Sequence, residues 1–479
     1  MRPCRASRGA RSESRIVGSL VAVEGSDLRS PLSPRAPHRI RSSDAGLSNG
    51  FGALGAPCKR EHGAAKLSRV ESVACRFCGA KLQDVVVDLG MSPLCETFLT
   101  AKELDRMEPF YPLRVEVCRT CWLVQLSEYV RVEEIFTEYA YFSSFSTAWL
   151  KHAEDYVEMI SKRLSLDDKS FVMELASNDG YLLQYFVKKG IPCLGIEPAA
   201  NCARAAKEKG VESLVTFFNE ATAGELKKSG KMADLVLGNN VLAQVPDINS
   251  FIAGLPLVLK PKGTITFEFP HLMQLFENNQ FDTIYHEHFW YFSLLSIETI
   301  FARHGLTVFD VEELWTHGGS LRIFARHAAD ESRPATDRLL ALRAREEKAG
   351  YRKIETYMRF AEQVKETKRK ILEVLIDAKR AGKTIAGYGA PGKGNTLLNF
   401  CGIRTDFLDF TVDRNPYKHG RFLPGTHIPI FPPAHLDEAK PDYVFILPWN
   451  LKDEIMTQLA HVRSWGGKFI VPIPEATVL

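Results

Sequence analysis

Short apolar runs alternate with helical patterns in two parts of the chain. The first part has runs at residues 171–175, 193–197, 233–237 and 264–269. The second part has runs at residues 384–388, 407–412, 443–448 and 468–471. Strands that alternate with helices are typical of parallel sheets joined by crossover connections. The pattern therefore predicts an α/β fold with two such sheets.

The segments around these sheets predict a further division of the chain. An amphipathic helix is predicted at 149–164, and a long charged helix at 346–381 joins the two sheet regions. A short unit bounded by cysteines precedes them, with room for a small β unit around 85–89. We therefore expect five regions: a leader (1–70), a cysteine-bounded domain (71–135), a first sheet domain (136–330), connecting helices (331–382) and a second sheet domain (383–479).

The leader has a composition of its own. Residues 1–70 are rich in Arg, Ser, Gly, Ala and Pro and show no sustained helix or strand period. Such a segment buries too little apolar surface to offset the entropy of ordering, so we expect it to be disordered. An Arg-rich, acid-poor start is also typical of an organelle transit peptide, although the apolar face is weak here. Both interpretations stay open.

The overall composition is that of a globular protein with little net charge. Of 479 residues, 45% are hydrophobic and 25% are charged, and the formal net charge is +3. Much of the positive excess lies in the leader, which argues against a nucleic-acid partner for the rest of the chain. No window approaches the ~18 uninterrupted apolar residues of a membrane span. We expect a cytoplasmic protein without a membrane partner. The sequence leaves the oligomeric state open, and a monomer is compatible with it.

Two Cys-x-x-Cys pairs predict a metal site. Cys75 and Cys78 form the first pair, and Cys118 and Cys121 form the second. Two such turns brought together give the tetrahedral four-sulfur shell that Zn²⁺ prefers. Four protein ligands leave no open position for water, so the ion is expected to be structural. The alternative is a set of four buried cysteines without metal.

Polar residues follow three predicted strands of the first sheet, where a nucleotide-type cofactor would bind. The candidates are Glu174, Ser177, Asn178, Asp179, Gly180, Glu197, Asn239 and Asn240. The turn after the first strand lacks the three glycines of a dinucleotide site, because Ala176 and Asn178 stand in their places. S-adenosylmethionine is therefore favoured over a nicotinamide cofactor. A generic Rossmann-like turn with a surface glutamate is the alternative.

A phenol, a carboxylate and two imidazoles are packed into Tyr285-His286-Glu287-His288. Such groups can move protons beside a cofactor site. Successive side chains on a regular element cannot all face one pocket, so His286 is expected to point away. A metal half-site or a hydrogen-bonded core cluster is the alternative.

These motifs occur with others in a recognisable order. After the Cys-x-x-Cys pairs come Glu174-Leu175-Ala176-Ser177-Asn178-Asp179-Gly180, Gly195-Ile196-Glu197-Pro198, Tyr285-His286-Glu287-His288, His317-Gly318-Gly319-Ser320 and Gly387-Tyr388-Gly389-Ala390-Pro391. In this combination the chain resembles the three-domain sugar C-methyltransferases that act on nucleotide-linked 4-keto-deoxyhexoses. The resemblance runs from residue 75 to the C-terminus. It implies a zinc module, a class I methyltransferase domain that binds S-adenosylmethionine, and a C-terminal Rossmann-like domain that helps to hold the nucleotide sugar.

The resemblance also implies a mechanism. A base removes the proton next to the 4-keto group, and the enolate attacks the sulfonium methyl. A neutral imidazole, with an ordinary pKa near ~6.5, suits that proton transfer. We expect His288 to be the base, Glu287 to orient it or contact the sugar, and Tyr285 to donate a hydrogen bond to the developing enolate oxygen.

The expected substrate contacts are spread over three regions. They are Tyr141, Gln244, Lys393, Asn395, Asp413 and Lys418. Gln244 departs from the family, which usually has a histidine near the sugar at this position; glutamine can hydrogen-bond but cannot titrate. Two alternatives stay open: a methyltransferase of another small acceptor, and a noncatalytic module that binds zinc and nucleotide.

Overall fold

The computed structural model describes residues 73–130 and 143–479, so the predicted leader and Tyr141 lie outside the described residues. The strands there are β1 (Asp84–Ser92), β2 (Tyr111–Val117), β3 (Val124–Leu126), β4 (Val172–Leu175), β5 (Cys193–Ile196), β6 (Ser213–Leu214), β7 (Ala233–Asn239), β8 (Leu259–Pro270), β9 (Trp290–Tyr291), β10 (Leu306–Leu314), β11 (Ser320–His327), β12 (Ile385–Tyr388), β13 (Phe410–Val412), β14 (Ile430–Phe431), β15 (Tyr443–Ile446), β16 (Lys468–Val471) and β17 (Thr477–Val478). The α-helices are Thr147–Leu164, Leu183–Lys188, Ala200–Glu208, Glu220–Lys228, Ile248–Val258, Leu272–Glu277, Leu294–Arg303, Asp337–Ala349, Ile354–Met358, Phe360–Arg380, Gly392–Cys401, His435–Ala439 and Lys452–Gln458.

The central sheet has the strand order β10-β11-β8-β7-β4-β5-β6. The strands from β4 to β8 pair in parallel, so the predicted Rossmann-like α/β sheet is confirmed. From β4 the chain adds β5 and β6 on one side, and it then crosses back to add β7 and β8 on the other side of β4. In such sheets ligands bind at the carboxyl ends of the strands on either side of this reversal.

Two features of this region differ from the sequence prediction. The sheet is not wholly parallel, because β10 and β11 add an antiparallel pair to the edge of β8. The single helix predicted at 346–381 is wrong, since the first helix ends at Ala349. Gly350 ends it in the left-handed region with φ of 87°, where a Cβ would also lie 2.7 Å from the Thr356 hydroxyl oxygen. The chain then turns before it forms the helices Ile354–Met358 and Phe360–Arg380.

Two smaller sheets flank the central one. The C-terminal sheet has the order β14-β13-β12-β15-β16-β17, and all its pairs are parallel except that of β16 with β17. The N-terminal sheet has the order β1-β2-β3-β9. Its last strand comes from the segment that follows Tyr285–His288, where Trp290 pairs with Gln125 of β3. The N-terminal sheet therefore holds the candidate catalytic segment by backbone pairing.

The apolar side chains of these elements pack into one large core and a second, smaller cluster that includes the buried face of the helix Thr147–Leu164. The largest fully buried side chains include Phe267 and Phe269 of β8 and Phe289, Trp290 and Phe292 beside the candidate catalytic segment. No helix in the described ranges has the length and hydropathy that crossing a bilayer requires.

Candidate active site

A cavity of about 930 Å³ lies at the carboxyl ends of the parallel strands. Its walls come from the ends of β4, β5 and β7, from residues 283–288, and from the ends of β12 and β13 in the C-terminal sheet. The cavity thus joins the predicted cofactor region, the candidate catalytic segment and the C-terminal domain in one space.

Four of the predicted cofactor residues line this cavity: Asn178, Glu197, Asn239 and Asn240. The Glu197 carboxylate accepts hydrogen bonds from the backbone N–H groups of Asn178 and Ala199, at 2.8 Å each. Each oxygen keeps a further lone pair for a ligand hydroxyl. Asn239 Nδ2 and Asn240 Oδ1 are buried without a hydrogen-bond partner in the described part of the chain. These polar atoms fit a ligand with a ribose and an amino acid end, as S-adenosylmethionine has.

The other four predicted cofactor residues are not among the lining residues of the described chain. Glu174 lies in β4, and Ser177, Asp179 and Gly180 lie in the turn that follows it. Asp179 pairs with Lys209, whose Nζ lies 2.9 Å from Oδ2. Gly180 has a φ of 73°, and a Cβ there would lie 3.1 Å from Ala206 and Val211. Burial raises the pKa of Glu174 well above its ordinary value, with Glu197 and Asp179 adding to the effect.

Tyr285 and His288 form a hydrogen-bonded pair on the opposite wall. The Tyr285 hydroxyl lies 2.8 Å from His288 Nε2, and His288 Nδ1 lies 3.0 Å from the Thr283 carbonyl oxygen. A carbonyl only accepts, so Nδ1 carries the proton and Nε2 accepts from the phenol. Burial lowers the pKa of His288 to about 3, and the charges of Lys393 and His317 act in the same direction. The imidazole is therefore neutral at physiological pH.

The two residues between them face different surroundings. Glu287 lines the cavity and accepts from the Cys95 thiol, whose sulfur lies 3.6 Å from Oε1. His286 lies away from the cavity, and its Nε2 donates to the Pro112 carbonyl oxygen at 3.2 Å. Its ring also packs edge-on against Tyr111. The segment thus presents Tyr285, Glu287 and His288 to the cavity and His286 to the N-terminal sheet.

The predicted substrate residues are distributed unevenly. Gln244, Lys393, Asp413 and Lys418 line the cavity. Asn395 is buried at 1% exposure in the helix Gly392–Cys401 and is not among the lining residues of the described chain. Asp413 Oδ2 accepts from the Ala390 N–H at 2.7 Å, and Lys418 Nζ donates to the Ala390 carbonyl oxygen at 2.8 Å. These bonds fix the strand ends of the C-terminal domain along one side of the cavity.

The four predicted metal ligands come together in the N-terminal domain. The sulfurs of Cys75, Cys78, Cys118 and Cys121 all lie within 4.8 Å of one another. The Cys75 and Cys121 sulfurs are 3.7 Å apart, and those of Cys78 and Cys118 are 3.5 Å apart. Zn–S bonds of about 2.3 Å in a tetrahedron give sulfur separations of about 3.8 Å. The cluster therefore fits a zinc ion.

This cluster is linked to the candidate catalytic segment. Gln125 Nε2 donates to the Cys75 sulfur at 3.1 Å, and the backbone of Gln125 pairs with Trp290. The Arg76 guanidinium lies over the rings of Phe289 and Trp290, at 5.0 and 4.8 Å from their centres. The zinc site thus helps to fix the position of the residues that follow His288.

Several lining residues were not assigned by the sequence analysis, and His317 is the most notable. Its φ is 58° and it precedes two glycines that also have positive φ. Its Nε2 lies 3.1 Å from Asn240 Nδ2, and its ring packs edge-on against Trp149. Burial lowers the pKa of His317 to about 4. The His317-Gly318-Gly319 sequence was the available signal, since two glycines after a histidine indicate a constrained turn.

Comparison with known proteins identifies the family. Family models match a zinc binding domain at residues 75–136, a methyltransferase domain at 149–311 and a C-methyltransferase C-terminal domain at 315–474. The C-methyltransferase NovU of Streptomyces niveus is 38% identical over 407 residues, which cover 85% of this chain and 96% of NovU. The chain belongs to this C-methyltransferase family.

Further comparisons match smaller parts of this chain at lower identity. The ubiquinone biosynthesis O-methyltransferase of Bartonella bacilliformis is 26% identical over 93 residues, 19% of this chain and 38% of that protein. A solved S-adenosylmethionine-dependent methyltransferase of Clostridium acetobutylicum has a TM-score of 0.30 at 10% identity, covering 38% of this chain and 92% of its own. The magnesium protoporphyrin IX methyltransferase of Synechocystis with bound SAH has a TM-score of 0.30 at 13% identity. The match covers 37% of this chain and 82% of that protein. The sheet order and the family models establish the fold without these matches.

As a member of this family, the protein is an S-adenosylmethionine-dependent C-methyltransferase with a zinc-binding domain. The cofactor supplies an electrophilic methyl group on a sulfonium sulfur. Four thiolates complete the coordination sphere of zinc, so the ion has a structural role. The chemistry at the acceptor is left to the residues on the cavity wall.

Proposed function

We propose that this C-methyltransferase acts on a nucleotide-linked 4-keto-deoxysugar through an enolate. The observation that carries the proposal is the Tyr285–His288 pair, whose imidazole tautomer is fixed by Thr283. The pair lies on the wall of the cavity that also holds the strand ends Asn178 and Glu197. A neutral imidazole beside a methyl-donor site has a lone pair for the C–H proton, and because burial makes His288 a weak base, hydrogen bonds that stabilise the enolate have to offset this.

In the proposed reaction, the ketone oxygen displaces the Tyr285 hydroxyl from His288 Nε2. The hydroxyl then donates to that oxygen, and the imidazole nitrogen becomes free to take the proton from the neighbouring carbon. The C–H electron pair becomes the C=C bond of the enolate, and the π pair of the carbonyl moves to its oxygen. The cofactor, held by strand-end residues such as Asn178 and Glu197, would supply its methyl group to the enolate carbon, with the S–C electron pair left on sulfur. Glu287, which also faces the cavity, is proposed to hold a sugar hydroxyl or to orient the imidazole.

The nucleotide end of the substrate is proposed to lie against the C-terminal domain. The helix Gly392–Cys401 begins at the cavity, and its first N–H groups favour anionic ligand groups. Lys418 supplies a positive charge at the cavity wall, and Asp413 supplies an acceptor for ribose hydroxyls. Gln244 follows β7 at the same cavity and is proposed to hydrogen-bond the sugar without titrating.

Methyl transfer to a panel of acceptors tests this proposal. Zinc-loaded full-length protein is incubated with isotopically labelled S-adenosylmethionine and a set of nucleotide keto-deoxysugars. We expect the label on a ring carbon next to the ketone. Label on an oxygen, or transfer only to acceptors without a nucleotide, would contradict the proposed substrate class. Cofactor binding without transfer to any acceptor would favour a binding module instead.

A further inference from the structure

Lys393 belongs to the C-terminal domain and lines the same cavity as Tyr285 and His288. It lies in the first turn of the helix Gly392–Cys401 and lines the cavity. Its Nζ donates to the backbone carbonyl oxygen of His317 at 2.8 Å and lies 5.2 Å from the centre of the Trp449 ring. The side chain is thus held from two sides, by a turn of the central domain and by an aromatic ring of the C-terminal domain.

The charge of Lys393 has no close counterion. Among the residues that the structure describes, no carboxylate oxygen lies within 4.0 Å of its Nζ. Asp282 is the acid that acts on it at longer range, raising a pKa that burial lowers. Asp282 itself is fully buried, and its Oδ2 accepts from the Trp449 indole N–H at 2.6 Å. A partly desolvated ammonium whose nearest acid acts only at longer range favours an anion in the cavity.

Three anions could meet this ammonium: the diphosphate of the substrate, the carboxylate of the cofactor and the enolate oxygen. The surroundings favour the enolate, because Lys393 Nζ is held on the His317 carbonyl oxygen and the side chain lines the same cavity as Tyr285 and His288. Its charge also lowers the pKa of both His288 and His317. The cations Lys418 and Arg414 have their own acids, Glu96 at 3.8 Å and Glu454 at 4.0 Å.

We propose that Lys393 is a catalytic residue that donates a hydrogen bond to the ketone oxygen of the acceptor and stabilises the enolate. This inference rests on the proposed function. An ammonium has three N–H donors, and the His317 carbonyl takes one of them, which leaves donors for the substrate. The C-terminal domain then takes part in the chemistry as well as in holding the nucleotide.

The same charge has two opposed effects on the proton transfer. It disfavours the imidazolium that forms at His288 and favours the negative charge that forms on the ketone oxygen. Coulomb energy falls with distance, and the proposed contact to the ketone oxygen is a direct hydrogen bond, whereas the His288 ring is bonded to Tyr285 and Thr283 and not to Lys393 in the described chain. The net effect is therefore to promote enolate formation.

The test compares Lys393→Met with a control lysine in a similar local environment. Lys368 Nζ donates to the Phe400 carbonyl oxygen at 2.5 Å and lies 4.7 Å from the Phe400 ring centre, but it does not line the cavity in the described chain. The readouts are solvent-deuterium exchange next to the ketone with S-adenosylhomocysteine bound, methyl-transfer kcat and KM, and cofactor Kd by calorimetry. A melting curve checks that each variant folds.

We expect Lys393→Met to lower exchange and kcat about 10²-fold or more, as loss of an oxyanion donor does, with KM and cofactor Kd within about threefold. Its Tm should equal or exceed that of the wild type, because an apolar side chain replaces a cation without a close counterion. Lys368→Met should catalyse exchange of the substrate proton at the wild-type rate. A raised KM at unchanged kcat would assign Lys393 to phosphate, and weaker cofactor binding would assign it to the cofactor carboxylate. Either result overturns the inference. A wild-type protein without exchange would refute the proposed function itself.

Discussion

Glu268 offers a quantitative test of how the site is supported. It is fully buried at the end of β8, and its Oε2 accepts from Arg322 Nη2 at 2.7 Å and from His152 Nε2 at 2.8 Å. The Thr316 hydroxyl donates to Oε1 at 2.7 Å, one residue before His317. Burial alone would raise the pKa of Glu268, but the His152 hydrogen bond and the Arg322 charge outweigh it and lower this pKa to about 2.

The pKa gives the size and the pH range of the effect. The ordinary value is 4.5, so the folded state favours the carboxylate by about 3 kcal/mol, at about 1.4 kcal/mol per pH unit. A lowered folded-state pKa means that this stability is complete above pH 4.5 and is lost as the pH falls towards 2. Glu268→Gln should therefore cost about 3 kcal/mol at pH 7, because Arg322 loses a buried partner. The difference from the wild type should shrink below pH 4.5.

Urea unfolding at a series of pH values, followed by tryptophan fluorescence, measures this difference. Trp149 stacks on His152 with ring centres 5.1 Å apart, so its emission reports on this region. Glu312→Gln is the control, because Glu312 also pairs with Arg322, at 2.9 Å, but keeps 19% of its side chain exposed. The control should lose much less stability. Equal unfolding midpoints for Glu268→Gln and wild type at pH 7 would refute the reasoning.

Two further predictions concern the zinc site and the cofactor turn. Cys118→Ser, or removal of zinc by a chelator, should abolish methyl transfer and open the N-terminal sheet, because the cysteine cluster is linked through β3 to the segment after His288. Metal analysis measures the loss of zinc, and hydrogen exchange measures the opening of the sheet. A zinc-free protein that still transfers methyl groups would contradict this prediction. Gly195→Ala should weaken cofactor binding about tenfold, since its Cβ would clash with the Ser177 hydroxyl and overpacking costs about 1–3 kcal/mol. Gly224→Ala is the control, because a Cβ at Gly224 has no heavy atom within 4 Å among its non-adjacent neighbours. Equal cofactor affinity in Gly195→Ala and Gly224→Ala would contradict this prediction.

Local sequence patterns predicted much of the fold and part of the site. The parallel strands were predicted from apolar runs, and the cysteine cluster was predicted from two Cys-x-x-Cys pairs, a spacing that is typical of zinc sites. The break at Gly350 was missed because the charged helical pattern continues past it, and only the left-handed backbone there shows the end of the helix. Glycine in a helical pattern is tolerated often enough that sequence alone does not decide such cases.

The parts of the site that escaped prediction depend on distant contacts. Lys393 was expected only as a substrate contact, and its hydrogen bond to the His317 carbonyl oxygen depends on how two domains pack. The Tyr285–His288 pair depends on a turn that brings Thr283 back to Nδ1. No periodicity in the sequence indicates such contacts, although the titratable side chains of Tyr285–His288 marked that segment as a candidate catalytic site.

Solvent-deuterium exchange in two histidine variants tests whether His288 is the base that forms the enolate. Wild type, His288→Asn and His286→Asn are compared with a nucleotide 4-keto-deoxysugar and S-adenosylhomocysteine in deuterated buffer. His286 is the matched control, because it lies in the same segment but its Nε2 is bonded to Pro112 away from the cavity. We expect exchange next to the ketone in wild type and His286→Asn and none in His288→Asn, with equal cofactor affinity in all three. Undiminished exchange in His288→Asn would contradict it.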